Sequence, residues 1–167
     1  MQKLSIYKPN GKNQGAAISL SFRDDALFMS IVRQKTWNAE TKKGTFYTGK
    51  DKENSLAMKF NHFEAGEILE AVASRRAAKF FHKFGEKQTT IGFRPWDRPI
   101  KTEDGELIDR SFGLSVTQGC VNPFKIPFTG GEMQTICAFL LKYLLTCFEK
   151  DSWVPKAATE TVEASEG

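Results

Sequence analysis

Two short stretches of the sequence share one layout and decide how the chain is organised. The first is MKFNHFE, residues 58–64, and the second is IPFTGGE, residues 126–132. Each places alternating apolar residues before a helix-capping residue, Asn61 or Thr129, with a glutamate three positions later. In such a capping box, the capping side chain bonds the third backbone N–H and the glutamate bonds back to the cap. Each stretch therefore predicts a strand that leads directly into a helix.

Residues that alternate between apolar and polar precede both stretches. This period of two, with one apolar face, is typical of a half-buried antiparallel strand. In the first half the apolar residues are Ile18, Leu20 and Phe22, then Leu27, Met29 and Ile31 (continuing into Arg33 and Lys35), then Leu56, Met58 and Phe60. In the second half they are Ile91 and Phe93, then Phe112, Leu114 and Val116 after an Asp104-Gly105 turn, then Phe124, Ile126 and Phe128.

The residues after each capping box have helical spacing. The first apolar stripe is Phe63, Ile68, Leu69 and Val72, and the helix is predicted to end around Arg75-Arg76. The second is Met133, Ile136, Cys137, Leu140, Leu141, Leu144, Leu145 and Phe148. The two caps lie about half the chain apart, which predicts two sheet-then-helix units in one pseudo-symmetric α+β domain. Two unrelated hairpin-and-helix segments are the alternative.

Composition excludes several classes of protein. The 167 residues carry a net charge of +4, which permits a nucleic-acid partner without requiring one. No apolar run is long enough to span a membrane, the first residues predict no secretion signal, and the three cysteines form no CxxC pair. We therefore expect an intracellular protein with reduced thiols, in the cytoplasm or with the nucleoid, and expect Cys137 and Cys147 to pack in the core.

Catalytic and cofactor motifs are sparse. No phosphate-binding loop is found, and neither His62 nor His82 has a partner at metal-ligand spacing, so no cofactor and no metal are expected. Glu40-Thr41-Lys42 has the spacing of a metal-dependent nuclease motif, with Asp24 or Asp25 as an upstream ligand. Glu40, however, lies in a polar, loop-like stretch. A non-enzymatic role is the primary prediction, and a nuclease is the minor alternative.

The segment from residue 33 to residue 50, RQKTWNAETKKGTFYTGK, mixes cations with aromatic residues and lacks an apolar stripe. Cations neutralise phosphates and exposed rings stack on unpaired bases, so this composition suits single-stranded nucleic acid. In the alternative, Trp37, Phe46 and Tyr47 belong to a solvated hairpin and fold back onto the core. Phe80, Phe81 and Phe84, in contrast, are expected to pack under the first helix.

Four motifs, in order along residues 3–153, resemble the Whirly family of single-stranded DNA-binding proteins. Residues 6–18 resemble its Lys-Gly-Lys-Ala-Ala-Leu strand motif, here interrupted by extra residues, and residues 60–68 resemble its strand-to-helix junction. Residues 79–82 resemble its Glu-Phe-Phe-His segment, with Lys79 in place of the acid. Residues 126–132, which follow residues 112–116, resemble its last strands and second helix. The Trp37–Lys50 hairpin departs from the family pattern, and it is either a binding arm or a replacement for a sheet edge.

The resemblance implies two four-stranded antiparallel sheets, each followed by a helix, in a domain of residues 1–153 divided near residues 76 and 77. A related coactivator family has one such unit per chain. The resemblance also implies binding of single-stranded DNA on the sheets with low sequence specificity, in replication, recombination, repair or transcription. Related mitochondrial members bind guide RNA and promote annealing, so an RNA-binding factor is the main alternative.

The resemblance further implies a homodimer or homotetramer formed through the helices, with Phe139 and Tyr143 as contact candidates unless they are buried within one chain. Residues 154–167 are predicted to form a disordered acidic tail, either an inert end or a docking peptide for a protein partner. The predicted nucleic-acid-binding residues are Lys8, Lys12, Arg33, Lys35, Trp37, Lys42, Lys43, Phe46, Tyr47, Lys50, Lys59 and Arg94.

Overall fold

The computed structural model describes residues 1–119 and 122–149, and these form two sheets and two helices. The first half contains β1 (Gln2–Lys8), β2 (Ala16–Arg23), β3 (Ala26–Asn38), β4 (Lys43–Phe46), β5 (Ser55–Phe60) and α1 (His62–Ala73). The second half contains β6 (Ala78–Phe84), β7 (Lys87–Thr102), β8 (Gly105–Gln118), β9 (Phe124–Phe128) and α2 (Gly130–Glu149). The predicted α+β repeat of a sheet followed by a helix is confirmed. The predicted acidic tail lies outside the described residues.

The first sheet is antiparallel and has β3 at its centre. β1 pairs with β2, and β2 pairs with β3. The opposite edge of β3 is shared, since residues 27–32 pair with β5 and residues 34–38 pair with β4. The four strands β1-β2-β3-β5 form the predicted sheet, and β4 is the extra strand of the predicted Trp37–Lys50 hairpin.

The second sheet has the simple order β6-β7-β8-β9, with every pair antiparallel. β7 and β8 turn at Glu103 and Asp104, and Gly105 follows with φ of +131°, a conformation that favours glycine. Both strands are much longer than their neighbours and extend past the sheet as a two-stranded ribbon.

Both helices begin at the predicted capping boxes. Asn61 Oδ1 accepts the Glu64 N–H at 2.9 Å, and Glu64 Oε2 accepts the Asn61 N–H at 3.0 Å. At α2, Thr129 Oγ1 accepts the Glu132 N–H at 3.2 Å, while the Thr129 N–H donates to Glu132 Oε2 at 2.8 Å. Each reciprocal cap satisfies backbone donors that a helix start would otherwise leave unpaired.

The apolar faces of both sheets and both helices form one core. The alternating apolar residues of β2, β3, β5, β7, β8 and β9 point inward, as predicted, and Phe60, Phe93, Phe112 and Phe128 are among the largest side chains of the core. Cys137 and Cys147 are half-buried against this core, and burial raises the pKa of the Cys137 thiol. The cluster that joins the two halves is therefore the main source of stability.

Phe139 and Tyr143 are not free for contact with another chain. Phe139 packs edge-to-face on Phe22, with ring centroids 5.2 Å apart. Tyr143 is fully buried, and its hydroxyl donates to the Asp25 carbonyl at 2.7 Å. The alternative, burial within one chain, is correct for Tyr143, while Phe139 is half-buried; both rings pack against Phe22 of β2.

The aromatic residues of β6 differ in burial. Phe80 is buried, as predicted, but Phe81 is 60 % exposed and Phe84 is more exposed still. Strand alternation sends Phe81 to the face opposite Phe80, and Phe84 lies at the end of β6, beyond the helices. The expectation that all three pack under α1 is wrong for these two.

Candidate nucleic-acid interface

The described residues place no helix on the outer face of the first sheet, which is built from small polar residues with isolated rings. A cross-strand row runs Lys3, Ser21, Phe28 and Lys59 across β1, β2, β3 and β5. The next row on this face is Ser5, Ser19, Ser30 and Ala57, in which the Ser5 and Ser19 hydroxyl oxygens are 2.8 Å apart. Phe28 is 44 % exposed although it lies at the sheet centre. A lysine therefore stands at each edge of a largely flat floor.

The outer face of the second sheet has the same plan. The corresponding row is Lys79, Gly92, Ser115 and Lys125, across β6, β7, β8 and β9. Neighbouring strands lie about 4.8 Å apart, so the backbones of the two lysines in such a row are separated by about 14 Å. The ammonium group of Lys79 lies 5.0 Å from the ring of the exposed Phe81.

Two glycines leave this second face open. A Cβ atom added at Gly92 or Gly113 would meet no atom within 4 Å, so bare backbone forms the floor at both positions. The resulting groove has a volume of about 830 Å³, and Lys79, Arg94, Trp96 and Lys125 are among the residues that line it. Its openness and its cationic rim suit an extended chain of phosphates with flat bases.

The predicted hairpin of β3 and β4 packs beside the first sheet face. The Phe46 ring lies on the outer side, with its centroid 5.4 Å from that of Tyr7. Trp37 rests against Gly11, since a Cβ there would lie 3.6 Å from the indole nitrogen. Phe46, Trp37 and Tyr47 are half-buried, and none of the three rings belongs to the hydrophobic core.

Gln34 fixes this hairpin to the loop that precedes β2. Gln34 is 4 % exposed, and both the oxygen and the nitrogen of its side-chain amide form hydrogen bonds. Oε1 accepts the N–H groups of Asn10 and Gly15 at 2.9 and 3.0 Å, and Nε2 donates to the Asn10 and Thr36 carbonyls at 3.1 Å each. A buried, satisfied amide holds two segments in one arrangement. Lys12 and the hairpin lysines are therefore presented from one ordered unit.

The cations among the predicted binding residues fall into two groups. Most are solvent-exposed and form no ion pair within residues 1–119 and 122–149; these are Lys12, Lys35, Lys42, Lys43, Lys50, Lys59 and Arg94. Lys35 also lies 5.8 Å above the Tyr47 ring. These cations flank the first sheet face or, for Arg94, the groove of the second.

Lys8 and Arg33 have contacts within the chain instead. Lys8 Nζ lies 2.7 Å from Glu132 Oε2, at the start of α2. The Arg33 guanidinium lies 4.0 Å above the Phe124 ring and donates to the Asn122 carbonyl. Both side chains leave from the inner side of β1 and β3, so they join the two halves of the molecule.

Several residues at this interface were missed by the sequence analysis. These are Lys3, Phe28, Lys79, Phe81, Trp96 and Lys125. Their signal is parity: each lies out of phase with the buried residues of its strand, as Phe28 does between Leu27 and Met29. Single residues out of phase are common on solvated faces, which is why parity alone did not mark them.

The described residues do not assemble a metal site. No group of three or more His, Cys, Asp or Glu side chains that could hold an ion occurs within residues 1–119 and 122–149. Glu40 lies exposed in the β3–β4 turn, where its backbone N–H donates to Asn38 Oδ1. His82 pairs with Glu64 at 2.6 Å, and His62 stacks beside Phe63. No described helix is both long and apolar enough to cross a membrane.

Comparison with known proteins identifies the architecture. No protein-family model matches the chain, and no curated protein does either. Solved structures do. WHY3 from Arabidopsis thaliana is 16 % identical with a TM-score of 0.60, and the match covers 99 % of this chain and 96 % of that one. The plant transcriptional regulator PBF-2 is 16 % identical, with a TM-score of 0.54 and coverage of 99 % and 87 %.

MRP1/MRP2 of Trypanosoma brucei shares the same architecture, with 13 % identity, a TM-score of 0.57 and coverage of 85 % and 83 %. These similarities extend over nearly the whole chain at low identity, so they establish the fold. The chain has a Whirly-like fold, as the sequence motifs predicted.

Proposed function

We propose that this protein binds single-stranded DNA with low sequence specificity on the outer faces of its two sheets. The observation that carries the proposal is the pair of cross-strand rows, Lys3 to Lys59 and Lys79 to Lys125, each with lysines at the edges and a flat floor between. Edge cations would neutralise phosphates, and Phe28, Phe81 and Trp96 would offer stacking surfaces to unpaired bases.

The predicted binding residues extend this surface. Lys12, Lys35, Lys42, Lys43 and Lys50 add positive charge around the hairpin, and Tyr7 and Phe46 add paired rings. We include Lys59 and Arg94 in the direct contact surface. Trp37 and Tyr47 are half-buried, so only the exposed parts of their rings stack on DNA bases. Lys8 and Arg33 support the surface by holding the two halves together.

The fold neighbours bear on the biological process. PBF-2 is a plant transcriptional regulator, and we propose transcription, together with DNA replication, recombination or repair, as the setting for this chain. Action there is by equilibrium binding without turnover, in association with the nucleoid. The division into two repeats near residues 76 and 77 falls between α1 and β6, and residues 154–167 remain a candidate docking peptide.

The apolar outer face of α2 supports a homodimer or homotetramer. Leu141, Leu145 and Phe148 are all more than half exposed and follow one another at helical spacing. An exposed apolar stripe of this kind is typical of a contact between copies. These residues replace Phe139 and Tyr143 as the proposed oligomer contacts.

The test is fluorescence anisotropy with a labelled thymidine oligonucleotide and a duplex of equal length, over a salt series without Mg²⁺. We expect a strong preference for the single strand, with log affinity falling linearly against log salt concentration. The double variant Lys79→Gln, Lys125→Gln should bind more weakly. The slope of log affinity against log salt concentration should fall in magnitude by about two, one for each lost phosphate contact. The control is Lys142→Gln on α2, which is remote from both sheet faces.

The same assay separates the alternatives. Absence of single-strand binding at low salt would refute the proposal. Tighter binding to a uridine oligonucleotide, with faster annealing of complementary strands, would assign the RNA-binding alternative. Cleavage that requires Mg²⁺ and is lost in Glu40→Gln would assign the nuclease.

A further inference from the structure

The ribbon formed by the ends of β7 and β8 projects beyond the second sheet. β6 pairs with β7 only as far as Phe93, and β9 pairs with β8 only as far as Phe112. Within the described part of the chain, residues 96–102 and 105–111 form strand pairs only with each other. A two-stranded ribbon is marginal in water unless something packs against it.

Exposed apolar side chains mark the outer half of this ribbon. Leu107 is 62 % exposed and Ile108 is 66 % exposed, and Ile100, which pairs with Leu107, is also exposed. Because Leu107 and Ile108 point to opposite faces, neither face of the ribbon is purely polar. Apolar groups grouped on a projecting element indicate a contact surface for another macromolecule.

The base of the ribbon is held rigidly by the rest of the chain. Arg75 pairs with Asp97 and donates to the Ser111 carbonyl at 3.3 Å. Asp109 accepts the Ser111 hydroxyl at 2.6 Å and the Gly130 N–H at 3.0 Å. A fixed base reduces the entropy lost when the tip binds a partner.

The charge of the ribbon argues against nucleic acid as that partner. Residues 96–111 contain five acidic and three basic side chains, and the acidic tip consists of Glu103, Asp104 and Glu106. None of these three forms an ion pair with any residue in the described part of the chain. Uncompensated carboxylates repel phosphates.

The complementary surface is present on the same protein. Residues 33–50 contain five basic side chains and one acidic side chain. Lys42 and Lys43 are exposed at the turn of this hairpin, and the half-exposed rings of Phe46 and Tyr47 follow them. The hairpin therefore places cations beside aromatic rings, and the ribbon places carboxylates beside Leu107 and Ile108. The two surfaces have opposite charge, and each has apolar groups for the other to contact.

We propose that the acidic tip of the ribbon docks on the Lys42–Lys43 hairpin of a second copy of this chain. Because the two surfaces differ, two copies close a dimer by reciprocal exchange, each supplying one tip and one hairpin. The carboxylates then form ion pairs with lysines that, under the proposed function, bind phosphates. Single-stranded nucleic acid therefore competes with this contact and releases the tip from the hairpin.

Zero-length carbodiimide cross-linking tests the contact without nucleic acid. Nitrogen-15-labelled and unlabelled full-length protein are mixed at low salt, treated and digested. We expect mixed-isotope peptides that join residues 103–106 of one copy to Lys42 or Lys43 of another. Links confined to single isotopes, or links from this tip only to other lysines, would overturn the proposal.

Charge reversal gives a second measurement, by sedimentation velocity. Glu103→Lys with Asp104→Lys makes a tip that repels the hairpin, and Lys42→Glu with Lys43→Glu makes a hairpin that repels the tip. We expect each double variant to lose the mixed-isotope links and the low-salt association that depends on them. An equal mixture of the two variants restores both, because opposite charges again face each other; failure to restore them contradicts the proposal.

The thymidine oligonucleotide separates this inference from the proposed function. Loss of the cross-links on adding it supports competition. Cross-links that form and persist at saturating oligonucleotide leave the docking established and refute the competition. An oligonucleotide that does not bind at all refutes the proposed function and leaves the docking result unaffected.

Discussion

Lys8 and His82 make equivalent contacts in opposite directions across the two halves of the molecule. Lys8, at the end of β1, pairs with Glu132, the capping glutamate of α2. His82, on β6, pairs with Glu64, the capping glutamate of α1. The first strand of each half thus contacts the capping glutamate of the other half's helix, so each half supports the helix start of the other.

The Lys8 contact gives a stability prediction. Lys8→Ala removes a partly buried ion pair and leaves Glu132 held only by its cap, so the free energy of unfolding should fall by about 1–2 kcal/mol. Urea denaturation measures this change. Lys3→Ala on the same strand is the control, and it should alter stability by less than about 0.5 kcal/mol. Equal effects of the two variants would show that the bridge is not stabilising.

Asp109 predicts an acid-dependent loss of stability. The Ser111 hydroxyl, the Gly130 N–H and Arg98 hold the pKa of this carboxyl below its ordinary value of 3.8. A lowered folded-state pKa stabilises the protein at pH values above the unfolded pKa, and this contribution is lost as the pH falls towards the folded pKa. Asp109→Asn should therefore be less stable than the parent near neutral pH, with a gap that closes in acid.

Urea midpoints between neutral pH and about pH 3, a range that spans the carboxylate titration, measure the Asp109 effect. Asp104→Asn at the ribbon tip is the control and should track the parent at every pH. A gap for Asp109→Asn that stays constant in acid would contradict the assignment of these hydrogen bonds.

Tyr143 predicts a loss of stability in alkali. Burial raises the pKa of this phenol above its ordinary value of 10.0, so the stabilisation is complete below that value and falls as the pH rises above it. Tyr143→Phe removes the hydrogen bond to the Asp25 carbonyl and should cost about 1–2 kcal/mol at neutral pH. The variant should also lose part of the alkaline dependence. Tyr7→Phe, at an exposed ring, should show neither effect in urea denaturation.

The open floor of the second sheet predicts a variant that folds but binds poorly. Gly113 lies in β8 with empty space above it, so Gly113→Leu should leave the thermal midpoint nearly unchanged while filling the groove. Loss of one stacked base corresponds to about tenfold weaker binding. Gly66→Leu, on α1 and equally open, is the matched control in the anisotropy assay. Unchanged affinity in Gly113→Leu would exclude this groove from the binding surface.

The outer stripe of α2 predicts the effect of a charge on self-association. Leu145→Glu places a carboxylate among exposed apolar residues, and light scattering after size exclusion should report a smaller assembly. Gln134→Glu, an exposed polar position on the same helix, should behave as the parent. An identical mass for parent and Leu145→Glu would remove this stripe from the interface.

Local sequence signals identified both helices and most of the strands, but not β6, whose aromatic residues were expected to pack under α1. The capping boxes at Asn61 and Thr129 specify helix starts through contacts within four residues, and the alternation in β2, β3, β5, β8 and β9 specifies which side of each strand is buried. Both signals depend on neighbours along the chain. The family resemblance then implied four antiparallel strands in each sheet.

The candidate interface was only partly predictable. The hairpin lysines and Arg94 lie where the sequence placed them, at the surface, and their role in binding stays a prediction. Lys8 and Arg33 look similar in sequence, yet each has a partner from the second half. Phe81 looks like Phe80 and lies on the opposite face. Such differences depend on which side of a strand meets the core and on residues about 90 to 120 positions away.

The sequence by itself determined two sheet-then-helix units, their helix caps and a positively charged hairpin, because propensity, capping and periodicity act over a few residues. Only the tertiary structure decided that lysines from edge strands align across the outer face of each sheet. It also decided that Gly92 and Gly113 leave a groove open on the second sheet. It alone also decided that the β7–β8 ribbon extends past the last residues that pair with β6 and β9. Those relationships follow from strand register and from where pairing stops, which are set by burial of the shared core and not by any single segment.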